Sequence, residues 1–87
     1  MLLPPEEMVA VTNRLKRAQG QLSGIIKMLD EGRECEDVVT QLAAVSKALD
    51  RAGFAIIASG LRQCVVQEGE AAALDTAKME KLFLSLA

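Results

Sequence analysis

The sequence predicts an all-α fold with a three-helix protomer, and the prediction rests on composition and hydrophobic spacing. The chain has 87 residues, of which 51% are hydrophobic and only 2% aromatic. A core of Leu, Ile, Val, Ala and Met suits packed helices. Along two long segments the apolar residues recur at alternating intervals of three and four, which is the period of a helix. We therefore expect residues 1–87 to form a single helical domain.

The first helix is predicted to begin near Pro4 and Pro5, because proline is tolerated in a first helical turn and the acids that follow favour the helix dipole. Gly32 is its predicted stop. Its apolar residues follow a coiled-coil seam for about three heptads. They are Met8, Val11, Leu15, Ala18, Leu22, Ile25 and Leu29. We expect this helix to pack along its whole length.

The second helix is predicted to run from the region of Cys35 to just before Gly69, because no proline interrupts it. Gly53 and Gly60 each cost about 1 kcal/mol of helix propensity relative to alanine, which does not force a break. Its apolar residues keep the same spacing, at Val38, Leu42, Val45, Leu49, Ala52 and Ile56.

A short third helix is predicted to begin near Glu70 or Asp75. One face of it is apolar and can cover the first two helices. This face consists of Met79, Leu82, Phe83 and Leu86.

The composition excludes several classes of function. The chain contains no His, which removes the usual general base and the commonest metal ligand, and it has no phosphate loop or cofactor motif. We therefore do not expect an enzyme. A net charge of -2 argues against nonspecific coating of nucleic acid but leaves room for a local basic patch. No apolar run reaches the ~20 residues of a membrane span and residues 1–7 do not resemble a signal peptide, so a cytoplasmic protein is expected.

The two cysteines, Cys35 and Cys64, lie near opposite ends of the predicted second helix. At about 1.5 Å per residue, roughly 43 Å separates them, whereas a disulfide requires Cα atoms within about 7 Å. Antiparallel pairing with a second copy would place each Cys35 beside the partner subunit's Cys64, at two identical sites. The alternative is that each cysteine is a small buried hydrophobe.

Five cations form a second candidate site. Arg14, Lys16 and Arg17 lie in the first helix, and Lys47 and Arg51 lie four apart in the second. Such residues on adjacent helices could bind the phosphates of double-stranded DNA, and the alternative is an ordinary solvated face. Neither long helix has the character of a helix-turn-helix recognition helix, so we expect contacts to phosphates and groove shape.

The segments RLKRAQGQLSGIIKMLDEGREC, DVVTQLAAVSKAL and LRQC, within about residues 9–66, resemble the copper-sensitive operon repressor family (CsoR/RcnR). The resemblance implies an antiparallel helical dimer and a tetramer, as a dimer of dimers, that represses transcription until its inducer binds. It also implies that the five cations contact operator DNA.

Gly60 separates this sequence from the copper sensors that it resembles. Those sensors carry a histidine four residues before the second cysteine, which completes a Cys-His-Cys site for Cu(I), and Gly60 stands there. Nickel and cobalt sensors use several histidines, which excludes that branch, and formaldehyde sensors use a processed N-terminal proline, whereas Leu2 and Leu3 precede Pro4 here. Two cysteines without the histidine resemble the persulfide-sensing branch, the CsoR-like sulfurtransferase repressors (CstR).

The expected function is therefore a transcriptional repressor that senses persulfide or polysulfide. An interchain Cys35–Cys64 disulfide, trisulfide or longer bridge would release operator DNA, and no cofactor would be needed. The alternative is a Cu(I)-responsive repressor that uses the same cysteines, because two thiolates alone can bind soft Cu(I). A third hypothesis is a helical thiol protein that carries copper or sulfur and does not bind DNA.

Overall fold

The computed structural model describes residues 2–66 and 69–87. A short 3-10 helix, Pro5–Glu7, precedes three α-helices, which are α1, Val9–Asp30, α2, Cys35–Val66, and α3, Glu70–Leu86. No strand occurs within the described ranges. The three predicted helices are confirmed, and α3 begins at the earlier of its two predicted starts. The α1 helix begins at Val9 rather than near Pro4 and Pro5, because the first turn is a separate 3-10 helix. None of the described helices has the length and apolar character needed to cross a membrane.

A tight turn reverses the chain between α1 and α2 at Gly32, which adopts a φ of 69°. This left-handed conformation is accessible to glycine at little cost. The Gly32 N–H donates to the Leu29 carbonyl at 3.3 Å and the Arg33 N–H donates to the Met28 carbonyl at 3.0 Å. Together these bonds form a Schellman motif, which satisfies carbonyls at the end of α1. The predicted stop at Gly32 is confirmed.

The α1 helix packs on α2 through only one of the two apolar positions of its heptad. Val11, Ala18 and Ile25, each seven residues from the next, are buried. Ala18 and Ile25 form a core cluster with Val45 of α2. The buried row reaches from Val11 to Ile25, so α1 is packed along most of its length, but one neighbouring helix covers only one side of it.

The leucines of the other heptad position remain exposed on both helices. On α2, Val45 and Ala52 are buried, whereas Leu42 and Leu49 are 49% and 47% exposed. On α1 the corresponding leucines are also exposed. We call these residues the leucine rows, and they are Leu15, Leu22, Leu29, Leu42 and Leu49.

The α3 helix packs on the C-terminal half of α2. Met79, from the predicted apolar face, is buried and forms a second core cluster with Ile57 and Cys64. The rings of Phe54 and Phe83 lie 5.6 Å apart in a tilted arrangement that favours aromatic pairs. These contacts place α3 over the end of α2 that carries Cys64.

The N-terminal segment also packs on this half of α2. The hydroxyl of Ser59, which is fully buried, donates to Oε2 of Glu7 at 3.4 Å. Leu3 lines an apolar cavity of about 210 Å³ together with Gly60 and Met79. The two core clusters therefore lie in different halves of an elongated molecule whose extents are 56 × 26 × 14 Å.

Candidate sensor thiols and nucleic-acid interface

Cys35 is the first residue of α2, and it is exposed. Cys35 directly follows the turn between α1 and α2 and belongs to neither core cluster. The alternative of a small buried hydrophobe therefore does not describe Cys35 in the single chain. An exposed thiol in this place is accessible to a metal ion or to a small sulfur compound.

Cys64 lies near the other end of α2 and is buried, with 6% of its surface exposed. Its neighbours in the core cluster are Ile57 of α2 and Met79 of α3. The buried-hydrophobe alternative describes this residue well. The two cysteines thus differ in kind, since one is open to solvent and the other is covered by a neighbouring helix.

The continuous α2 helix keeps the two thiols apart. It runs without interruption from Cys35 to beyond Cys64 in a molecule 56 Å long, and a rise of about 1.5 Å per residue separates them by roughly 43 Å. Among the described residues, no group of three His, Cys, Asp or Glu side chains could hold a metal ion. A site that uses both thiols must therefore be completed by a second chain.

Gly60 lies one helical turn before Cys64 and is buried. It offers no side chain to a ligand, and beside it lies the apolar cavity that Leu3 and Met79 also line. Met79 therefore borders both Gly60 and Cys64. The sequence predicts Met79 on an apolar face but not beside Cys64, because no motif sets the register of α3 against α2.

The structure brings four of the five candidate cations around one groove between α1 and α2. Its volume is about 420 Å³, and Ala44 and Ala48, whose short side chains leave it open, also line it. Within the described ranges, no ion pair holds any of the four cations. We call this the basic groove, and its cations are Arg14, Arg17, Lys47 and Arg51.

Lys16 does not line the basic groove, although it is exposed. Arg14 and Arg17 are three residues apart and share a face of α1, whereas Lys16 is displaced from Arg14 by about 200° around the helix. Neighbouring positions in the sequence therefore do not all contribute to one surface. The structure separates Lys16 from the other candidate cations.

Comparisons with known proteins relate this chain to transcriptional regulators. The family described as "Metal-sensitive transcriptional repressor" matches residues 7–85. The copper-sensing transcriptional repressor CsoR of Mycobacterium ulcerans (strain Agy99) is 46% identical over 55 residues, which are 63% of this chain and 47% of that protein. CsoR of Bacillus subtilis (strain 168) is 36% identical over 55 residues, which are 63% of this chain and 54% of that protein. The chain spans about half the length of these curated relatives.

A solved structure shares the fold. The nickel-responsive transcriptional regulator InrS matches with a TM-score of 0.75 and 30% sequence identity, and the match covers 90% of each chain. The relatives named here are copper or nickel regulators, so the comparisons do not distinguish the persulfide-sensing branch that the sequence favoured.

Proposed function

The chain belongs to the metal-sensitive transcriptional repressor family, and on this premise we propose that it represses transcription by binding double-stranded operator DNA as a homo-oligomer. An inducer that joins Cys35 to the partner subunit's Cys64 would release the DNA. One observation carries this proposal, which is the single continuous helix with a thiol near each end. The relatives are named as regulators rather than enzymes, and a repressor would act in the cytoplasm.

The basic groove supports the DNA-binding part of the proposal. Its four cations are exposed and converge from two helices, and they are not neutralised by described acids. Phosphate contacts of this kind supply affinity and register on the duplex, while sequence preference can come from groove shape. We propose that Lys16 contributes through its charge from outside the groove.

The leucine rows support the assembly part of the proposal. A monomeric soluble protein rarely exposes long contiguous apolar surfaces, and such surfaces mark contacts with other proteins. A second copy laid antiparallel along the helices would bury exposed leucines and complete both thiol sites by the same two-fold symmetry. Two such dimers would form the tetramer, a dimer of dimers, that the resemblance implies.

Cu(I) is the inducer that the relatives favour. Besides CsoR, the copper-sensing transcriptional repressor RicR of Mycobacterium tuberculosis (strain ATCC 25618 / H37Rv) is 39% identical over 54 residues, which are 62% of this chain and 56% of that protein. Thiolates are soft ligands that suit Cu(I), so the donor set fits the metal. The comparisons therefore support the Cu(I) alternative better than the persulfide hypothesis.

Persulfide remains a second candidate because of Gly60, which leaves no nitrogen ligand one turn before Cys64. The Cys35 thiolate would attack a sulfane sulfur, gaining a persulfide and expelling a thiolate. The partner subunit's Cys64 would then attack that persulfide, closing an interchain disulfide and expelling hydrosulfide. Incorporation of further sulfane sulfur from a polysulfide would give the trisulfide or a longer bridge.

Anaerobic titration of the reduced protein tests the proposal. Fluorescence anisotropy would follow its binding to DNA from upstream of its own gene, first alone and then with one Cu(I) per chain or with polysulfide. Release by Cu(I), reversed by a chelator and without covalent dimers on a non-reducing gel, identifies a copper sensor. Release by polysulfide with covalent dimers that a thiol reductant reverses identifies a persulfide sensor.

Two outcomes would contradict the proposal. If the reduced protein prefers its upstream DNA no more than a random duplex, it is not a repressor at that site, and the carrier hypothesis gains support. If DNA binds but neither inducer changes the affinity, Cys35 and Cys64 are not the sensor.

A further inference from the structure

We propose that Met79 supplies a third, thioether ligand to a Cu(I) ion held by Cys64 and the partner subunit's Cys35. This inference rests on the proposed function in its Cu(I) form, and it extends the site to a helix that neither thiol belongs to. The chain contains no histidine, so a third soft donor has to come from sulfur.

The burial and contacts of Met79 point to this role. The side chain comes from the middle of α3, is only 4% exposed, and packs in one cluster with Cys64 and Ile57. Met79 also lines the apolar cavity beside Gly60. A sulfur-bearing side chain therefore packs in the cluster of the buried thiol and lines the same cavity as Gly60, where α2 offers no donor.

The side chain of Met79 packs in the cluster of Cys64 and also borders open space. Methionine is unbranched and has three rotatable bonds, so its sulfur can move while the backbone stays in place. The adjoining cavity, of about 210 Å³, gives the side chain room for such a rotation. Gly60 contributes no side chain that would fill this room.

The chemistry of the donors is consistent with this geometry. Soft thiolate and thioether ligands select Cu(I). Binding releases one proton from each of the two thiols to solvent, and Cu(I) with two thiolates and a neutral thioether leaves a site charge of -1. A neutral third ligand adds no charge to the apolar surroundings of Ile57, where an additional anion would be costly.

Met79 could instead be only a flexible filler of the core, and a pair of leucine variants separates the two roles. Met79→Leu keeps an apolar side chain of similar volume and removes the sulfur, and swaps of this kind are well tolerated in cores. Met28→Leu is the matched control, because Met28 lines a pocket at the α1–α2 turn with Glu31 and Arg33, close in sequence to Cys35.

The measurement is X-ray absorption of the selenomethionine-substituted full chain, loaded anaerobically with one Cu(I) per chain. We expect copper–selenium scattering and three-coordinate copper in the wild type and in Met28→Leu. In Met79→Leu we expect two-coordinate copper without copper–selenium scattering. We also expect the Cu(I) affinity, measured by competition with a chelator, to fall by about tenfold or more. Tenfold is the lower end of the loss found when a metal site loses a supporting group. Circular dichroism would verify that the helical content of each variant is unchanged.

Absence of copper–selenium scattering in the wild type overturns the inference, and so does persistence of that scattering or of full affinity in Met79→Leu. If Met79→Leu does not fold, the other two spectra still test the inference, because loss of the scattering in Met28→Leu would assign the selenium to Met28 and overturn it. If Cu(I) releases DNA through Cys35 and Cys64 without copper–selenium scattering, the proposed function stands and the Met79 assignment fails. If Cu(I) binds with that scattering but does not release DNA, the Met79 assignment stands and the proposed function fails in its Cu(I) form.

Discussion

At the scale of single residues, Cys35 and Cys64 differ in accessibility although they share one helix. Cys35 is exposed at the first position of α2, while Cys64 is covered by Met79 of α3. A reagent from solvent therefore meets Cys35 without any rearrangement of the protomer. Cys64 can react only when the α2–α3 contact loosens or when the incoming group fits into its apolar cluster.

A mixture of two single-cysteine variants tests whether the thiols meet between chains. Neither Cys35→Ser nor Cys64→Ser alone should form a covalent dimer with polysulfide, because each homodimer lacks one member of both pairs. After co-refolding of equal amounts, random pairing makes about half of the dimers mixed, and each mixed dimer retains one complete Cys35–Cys64 pair. Non-reducing electrophoresis should show about half of the chains as dimers. Equal crosslinking in either variant alone would refute the antiparallel pairing.

At the scale of secondary-structure elements, the basic groove depends on how α1 faces α2. Replacing Arg17 with Glu reverses a charge inside the groove, and Lys81→Glu makes the same change at an exposed position of α3. We expect Arg17→Glu to weaken DNA binding and to reduce the slope of log affinity against log salt concentration by about 1 or more, because each phosphate contact contributes about 0.9. Anisotropy titrations at several salt concentrations would measure both quantities.

Lys81→Glu should leave the affinity and its salt slope close to the wild type, and Lys16→Glu should have a smaller effect than Arg17→Glu. Equal losses in Arg17→Glu and Lys81→Glu would mean that overall charge, rather than the groove, governs binding.

Gly53 of α2 lies against Leu86 in the last turn of α3. A Cβ at this position would lie 2.8 Å from Cδ1 of Leu86, but this atom is the free end of a flexible side chain in the last turn of α3. Gly53→Ala should therefore raise the free energy of unfolding by up to about 1 kcal/mol through helix propensity. Gly53→Leu should lower it by about 1–3 kcal/mol, because its larger side chain overpacks the contact. Denaturant unfolding would measure both, and a loss in Gly53→Ala would show that Leu86 cannot move.

Sequence patterns predicted the elements better than the contacts between them. Gly32 marked the end of α1 because its left-handed conformation is a local requirement, and the lack of proline predicted a continuous α2. The position of Met79 beside Cys64 was not predicted, since it depends on the register between two helices. Lys16 is adjacent to Arg17 in the sequence, but its position around the helix directs it away from the groove that Arg14 and Arg17 line.

At the scale of the whole molecule, the leucine rows predict that the protomer is incomplete alone. Leu22→Glu should reduce the assembly to a smaller species and lower its DNA affinity, because a carboxylate would be buried without a partner in the apolar contact. Leu2→Glu is the control, since Leu2 is 89% exposed near the N-terminus and lies outside the rows. Light scattering after size-exclusion chromatography would give both masses. A wild-type mass for Leu22→Glu would place the contact elsewhere.

The length of α2 also determines where two copies would cross. If each Cys35 lies beside the partner subunit's Cys64, the two-fold axis passes through the midpoint of that span, between Leu49 and Asp50. Leu49, which one protomer leaves half-exposed, would then meet its own counterpart. A substitution near this crossing point would change two adjacent side chains, one from each copy, at a single contact. A substitution beside either thiol would change one side chain at each of two distant sites.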